Sequence, residues 1–130
     1  IGTAGTLMGI AKSFKNAGSN CKIIALEPAS SPILSKGIKG AHNVEGVGLG
    51  FVPALYNPEY VHNTIAIEES TARKTCRDLA IREGIFCGTS SGMNVAGALK
   101  LSKELGPKSK VVTVACDSGL KYLSGGLFDF

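Results

Sequence analysis

Apolar residues in this chain come in short runs separated by polar, charged or glycine-rich stretches. Four runs read as strands: CKIIALE (21–27), TIAI (64–67), IFC (85–87) and KVVTVAC (110–116). Three of them are nearly continuous rather than alternating, the pattern of strands buried on both faces in a parallel sheet. Helical periodicities lie between them. Leu7, Ile10, Ala11 and Phe14 recur at i, i+3, i+4 and i+7, with Gly18 as the stop. A second helix, roughly 70–83, has Glu68 and Glu69 at its start, where they complement the helix dipole, and ends at Gly84. A third runs from about Ser91 to Leu105 and is closed by Gly106-Pro107. This alternation predicts an α/β fold, an open and mostly parallel sheet with helices on both faces, within a single domain spanning residues 1–130.

One stretch breaks the pattern. Residues 28–62 contain Pro28, Pro32, Pro53 and Pro58, with glycines at 37, 40, 46, 48 and 50. A long irregular connection inside a small domain is often functional, or else covers another part of the protein.

Composition narrows the classes without choosing among them. The 44% hydrophobic and 18% charged content over 130 residues is that of a globular chain with one core. The net charge of +4 comes from lysines and arginines scattered singly from Lys12 to Lys121, with no basic run interleaved with aromatics, so nucleic-acid binding is not expected. No apolar stretch reaches membrane-spanning length. Cys21, Cys76, Cys87 and Cys116 form no CxxC and no metal-ligand spacing. Neither a metal site nor a disulfide framework is therefore expected, and a reducing, cytoplasmic setting is the default.

Four places could carry chemistry. GTAGT, Gly2 to Thr6, runs straight into the first helix. Glycines that turn N–H groups inward, threonine hydroxyls and a positive helix end together suit a phosphate, although the same residues could form a plain helix-entry turn. The spacing is neither GxGxxG nor a P-loop. GTSSG, Gly88 to Gly92, follows the third strand and literally matches the GxSxG of a serine hydrolase, with Ser90 as nucleophile. Both histidines, His42 and His62, lie upstream of it, so the usual triad order is unavailable. The alternative is a helix N-terminus that points hydroxyls into a crevice at a strand's carboxyl end. EGVGLGFVP, Glu45 to Pro53, has three alternate glycines that would let backbone approach a ligand or simply bend. CDSGLKYLS, Cys116 to Ser124, places Asp117 and Ser118 after the last strand, where they line a site or cap the next turn.

GTAGT, EPASSPILSKG, EGVGLGFVP, EGIFCGTSSG and CDSGLKYLS, taken together and in this order, resemble the cysteine synthases (O-acetylserine sulfhydrylases) and the related cystathionine β-synthases, across essentially the whole chain. The resemblance implies part of a fold-type II enzyme that uses pyridoxal 5′-phosphate. Gly2, Thr3, Gly5 and Thr6 match the loop that binds the cofactor's phosphate. Ala4 stands at a position that is often Gly, which the loop tolerates if its φ is negative. Ser90 matches the serine that hydrogen-bonds the pyridine nitrogen. Gly46, Val47 and Gly48 match the loop on the amino-acid substrate side, and Asp117 lies near the pyridine edge without an assigned role. The family's cofactor-bearing lysine lies upstream of its phosphate loop and has no match here, so no catalytic residue is assigned within the chain.

The implied reaction, in the complete enzyme, makes L-cysteine from O-acetylserine or a similarly activated serine and sulfide. The chain alone is expected to be an incomplete and inactive domain. A homodimer is implied, and serine acetyltransferase is a possible partner. The alternatives are a cystathionine β-synthase-like enzyme with homocysteine as nucleophile, or a non-catalytic phosphate- or partner-binding α/β module.

Overall fold

A computed structural model describes residues 1–129, and these gather into two units that divide between Ala66 and Ile67. The first unit contains α1 (Gly5–Asn16), β1 (Ile24–Pro28), a single-turn α2 (Ile33–Lys36) and a 3₁₀ turn at Pro58–Tyr60. Its last residues, 63–66, belong to β2 (Asn63–Ile67). The two strands form a two-stranded sheet. The His62 N–H donates to the Ile23 carbonyl at 2.8 Å where both strands begin, so they run parallel. The connection between them is long, as parallel pairing requires.

Burial alternates along the strands. Ile23, Ala25 and Glu27 face inward on the first, Ile65 and Ile67 on the second, and the residues between them are half-buried. The near-continuous apolar runs therefore do not give equal burial on both faces. Helix α1 begins two residues before its periodicity and stops where expected, with Gly18 left-handed at φ 65°. Its buried face is not the predicted stripe. Ala4, Met8 and Ala11 turn inward, whereas Ile10 and Phe14 are exposed. On a helical wheel the real face is displaced by about a quarter turn, because the small residues at 4 and 11 allow close seating.

The second unit is built on α3 (Glu69–Asp78), which continues as a π-helical turn, Leu79–Glu83, and ends at left-handed Gly84. It packs on α4 (Thr89–Leu105), and a 3₁₀ turn at Gly119–Tyr122 follows. Ala72, Cys76, Cys87, Met93, Ala96 and Leu127 are its buried apolar residues. Two expected strands are not formed among the described residues. IFC contributes only an isolated antiparallel bridge between Cys87 and Ser118. The segment 110–116 is held by side chains of α4 instead: Asn94 donates to the Val114 carbonyl at 2.9 Å, and the Cys116 N–H donates to Ser91 Oγ at 2.8 Å. Without a neighbouring strand to pair its backbone, this segment leaves Val112 91% exposed.

The four cysteines divide as two exposed, Cys21 and Cys116, and two buried, Cys76 and Cys87. Cys76 donates to the Cys87 carbonyl at 2.7 Å, and its thiol is pushed up to about 12, first by burial and then by the adjacent Cys87. Because thiolates are the reactive form, a thiol reagent at pH 8 should modify Cys21 and Cys116 and spare the other two until the protein unfolds, as mass spectrometry would read. The pH dependence has a definite sign. Unfolded Cys76 ionises near 9 and the folded thiol only near 12, so its contribution is intact below pH 9 and lost as pH rises from 9 towards 12.

Candidate functional site

In the first unit the chain enters α1 through Ala4, at φ 70° and ψ −1°. The negative φ on which tolerance of alanine was expected to depend is not what the fold uses. Ala4 is the only non-glycine with positive φ among the described residues. The turn it makes aims the start of the helix. The Met8 N–H makes the first helical bond, to Ala4 O at 2.9 Å, so the N–H groups of Gly5, Thr6 and Leu7 precede the ladder. No side chain caps this end and no acidic residue lies in the first turn. Thr3, Gly5 and Thr6 are exposed beside it. An uncapped, unneutralised helix end with flanking hydroxyls fits a dianionic phosphate.

The left-handed geometry at Ala4 carries a cost of about 1–2 kcal/mol. Ala4→Gly should remove it while returning part as extra freedom of the unfolded chain, for a net gain of about 0.5–1 kcal/mol. A urea unfolding midpoint would check this, and a lowered midpoint would contradict the assigned backbone geometry.

The second glycine loop lies against the first. Gly46, Gly48 and Gly50 are all left-handed, at φ 77°, 60° and 78°. The Gly48 N–H donates to the Ile1 carbonyl at 3.0 Å, and Gly2 sits so close to the Gly46 carbonyl that a Cβ would overlap it. Gly2 and the Gly46-Val47-Gly48 segment, noted separately in the sequence, are thus one structure.

Two residues with no visible signal in the pattern support it. Glu27 is 2% exposed and accepts the N–H groups of Leu34, at 2.7 Å, and Ser35, at 3.1 Å, together with the Ser35 hydroxyl. It holds the turn that carries α2 and lines one cleft with Ile1, Gly2 and Gly48. Glu27→Gln turns an amide group towards one of these donors. The loss should be about 2 kcal/mol of stability, read from chemical denaturation. The other residue is His42, whose Nε2 lies 2.9 Å from the Gly48 carbonyl.

In the second unit Gly88, Thr89, Ser90 and Ser91 form the entry to α4, and all four are buried. Gly88 donates to the Asp117 carbonyl at 3.3 Å, and a Cβ there would overlap Asp117 and the Tyr122 ring. The Tyr122 hydroxyl donates to Asp117 Oδ2 at 2.6 Å, while Ser118 caps the next turn through Leu120 N–H. Asp117 therefore organises this corner, and Ser118 does the capping. Thr89 Oγ1 and Asp117 Oδ1 are buried with no hydrogen-bond partner among the described residues. Buried polar atoms of this kind suit a polar ligand at the head of the helix.

A hydrolase reading of Ser90 finds no base. His62 Nδ1 accepts the Ile23 N–H at 3.0 Å, and both ring nitrogens of His42 are engaged by backbone groups. Among the described residues no group of His, Cys, Asp and Glu could hold a metal ion, and no helix is long and apolar enough to cross a membrane.

Comparison with known proteins adds a direct finding. A family model described as pyridoxal-phosphate dependent enzyme matches residues 1–117. A cysteine synthase of Staphylococcus aureus is 42% identical over 130 residues, which is 100% of this chain and 42% of that protein. A crystal structure of a cysteine synthase from Entamoeba histolytica superposes with a TM-score of 0.92 at 35% identity, covering 100% of this chain and 39% of the other. An O-acetylserine-dependent cystathionine β-synthase from Helicobacter pylori gives 0.88 at 32% identity, over 98% of this chain and 42% of its own. The chain spans about two fifths of the length of the relatives it matches.

Proposed function

Because the chain belongs to the pyridoxal-phosphate-dependent enzymes, as a relative of the cysteine synthases, we propose that the protein carrying it makes L-cysteine by β-replacement. The substrates are O-acetylserine, or a similarly activated serine, and sulfide. The observation that carries this reading is 42% identity to a cysteine synthase over all 130 residues.

The residues fit the cofactor. Gly2, Thr3, Ala4, Gly5 and Thr6 would hold its phosphate at the uncapped start of α1. Ser90, in the first turn of α4, would donate a hydrogen bond to the pyridine nitrogen. A hydroxyl cannot hold that nitrogen protonated as a carboxylate would, which suits elimination of a β-substituent. Gly46, Val47 and Gly48 would present backbone to the amino-acid substrate. When bound, pyridoxal phosphate supplies the electron sink that labilises the substrate's Cα proton and β-substituent. The same relationship leads us to expect a homodimer, cytoplasmic and able to take serine acetyltransferase as a partner.

The test is an assay of the native protein with added pyridoxal phosphate. Cysteine formed from O-acetylserine and sulfide supports the proposal. Cystathionine formed from homocysteine, with no cysteine from sulfide, would favour the second reading, for which the Helicobacter pylori relative speaks. Cofactor bound with neither product would overturn both.

A further inference from the structure

We propose that His42 is a positioning residue that sets the path of the Gly46-Val47-Gly48 loop, and through it the affinity for the amino-acid substrate. The assignment of that loop to the substrate rests on the function proposed above. The latch itself rests on geometry alone. The Val44 N–H donates to His42 Nδ1 at 3.3 Å, so Nδ1 carries no proton. The proton is therefore on Nε2, which donates to the Gly48 carbonyl at 2.9 Å. One tautomer satisfies both contacts, and the imidazole spans from Val44, two residues before the loop, to Gly48 at its end.

Packing makes the latch specific. Gly48 is left-handed at φ 60°, and a Cβ there would overlap the Nε2 of His42 and lie 2.9 Å from both its Cε1 and Pro28 Cγ. The ring thus occupies the space that a side chain at 48 would need. On its other side Gly48 is fixed by its own N–H, which donates to Ile1 O at 3.0 Å. The peptide groups at Gly48 are held in both directions, by the imidazole at the carbonyl and by the start of the phosphate-loop segment at the amide. Gly46, at φ 77°, has an open Cβ position, and its carbonyl is packed against Gly2. Removing His42 frees one end of a loop whose two alternate glycines give it no stiffness of its own.

Three measurements on the native protein loaded with pyridoxal phosphate test the proposal. In ¹⁵N-histidine spectra of the wild type, the His42 signals should be those of the neutral Nε2–H tautomer. The Nδ1–H tautomer would overturn the assignment without any variant being made. In amide exchange, His42→Phe should speed exchange at Val44 by about tenfold, the scale of one net hydrogen bond, and leave Gly48, whose N–H is held by Ile1 O, near wild type. His42→Gln keeps a donor near Gly48 but has no Nδ1 acceptor. It should leave Val44 fast, because only the contact to the Gly48 carbonyl is kept. A purely space-filling role predicts wild-type exchange at Val44 in His42→Phe, and that result would overturn the latch.

The concentration of O-acetylserine that half-saturates the cofactor's spectral response should rise about tenfold in His42→Phe and recover in His42→Gln. Cofactor affinity should stay near wild type in both. An unchanged half-saturating concentration would sever His42 from substrate binding and overturn the proposal. If the wild type gives no response to O-acetylserine at all, the proposed function fails, and the tautomer and exchange data still decide the latch.

Discussion

Gly92→Ala is expected to lower the unfolding free energy by about 3 kcal/mol, at the upper end of the range for overpacking a close-packed contact. Gly92 lies in the first turns of α4, facing α3. A Cβ there would overlap the Ala72 carbonyl oxygen and sit 3.0 Å from both the backbone nitrogen and the Cβ of Cys76. None of these atoms is the free end of a flexible side chain. Ala72, Cys76 and Met93 are all fully buried, so relief requires α3 to move away from α4. Intrinsic propensity points the other way, since alanine is favoured over glycine inside a helix by about 1 kcal/mol. A matched control separates the two effects. Gly9, inside α1, has no atom within 4 Å of its Cβ position beyond its chain neighbours and the adjoining helix backbone, and Gly9→Ala should stabilise by up to about 1 kcal/mol. Urea midpoints for both variants decide the matter. Stabilisation by Gly92→Ala would mean that the α3–α4 contact is looser than described.

That pair of glycines also shows what a sequence can and cannot carry. Both look alike in the pattern, and only three-dimensional proximity tells them apart. The helix stops were legible because Gly18, Gly84 and Gly106 act locally, through backbone geometry that needs no tertiary partner. The start of α3 at Glu69 was legible for the same reason. The inward face of α1 was not, because its buried stripe of Ala4, Met8 and Ala11 is defined by how closely small residues can approach the layer beneath, while the bulkier Ile10 and Phe14 dominate any count of hydrophobicity. The segments at 85–87 and 110–116 were read as strands from composition. A strand is a relation between two segments, and Cys87 is the only residue of either that meets a backbone partner of this kind among the described residues.

The candidate site divides in the same way. The GTAGT turn was visible because glycines followed directly by a helix suit either a phosphate or a plain helix entry, and both readings are local. Its tie to EGVGLG was not, since the Gly48–Ile1 bond joins residues far apart in sequence. Glu27 and His42 were passed over because each acts on backbone groups, and main-chain N–H and C=O groups are identical at every position of a sequence. A buried glutamate next to a proline-rich turn, or a histidine shortly before a run of alternate glycines, would have been the signal to seek.

Gly2→Ala should weaken pyridoxal phosphate binding by at least about 100-fold, which corresponds to about 3 kcal/mol. The added methyl would overlap the Gly46 carbonyl oxygen and lie 3.4 Å from its carbon, with Val47 Cα at 4.0 Å. All three atoms are backbone, so nothing flexible can yield. The two loops must part, and the Gly48–Ile1 hydrogen bond, at 3.0 Å, is lost with them. The residues that precede α1 would then shift relative to the helix N–H groups they help to aim. A phosphate site built from backbone tolerates little displacement, because its donors act only when they point together. The effect should therefore appear both as lost cofactor affinity and as a weaker response to the amino-acid substrate, whereas His42→Phe is expected to alter the second and spare the first. Absorbance titration of the native protein with pyridoxal phosphate, repeated with inorganic phosphate as competitor, measures the difference. Wild-type affinity in Gly2→Ala would mean that the loop against Gly46 is not part of the phosphate site, and the assignment of residues 2–6 would have to be abandoned.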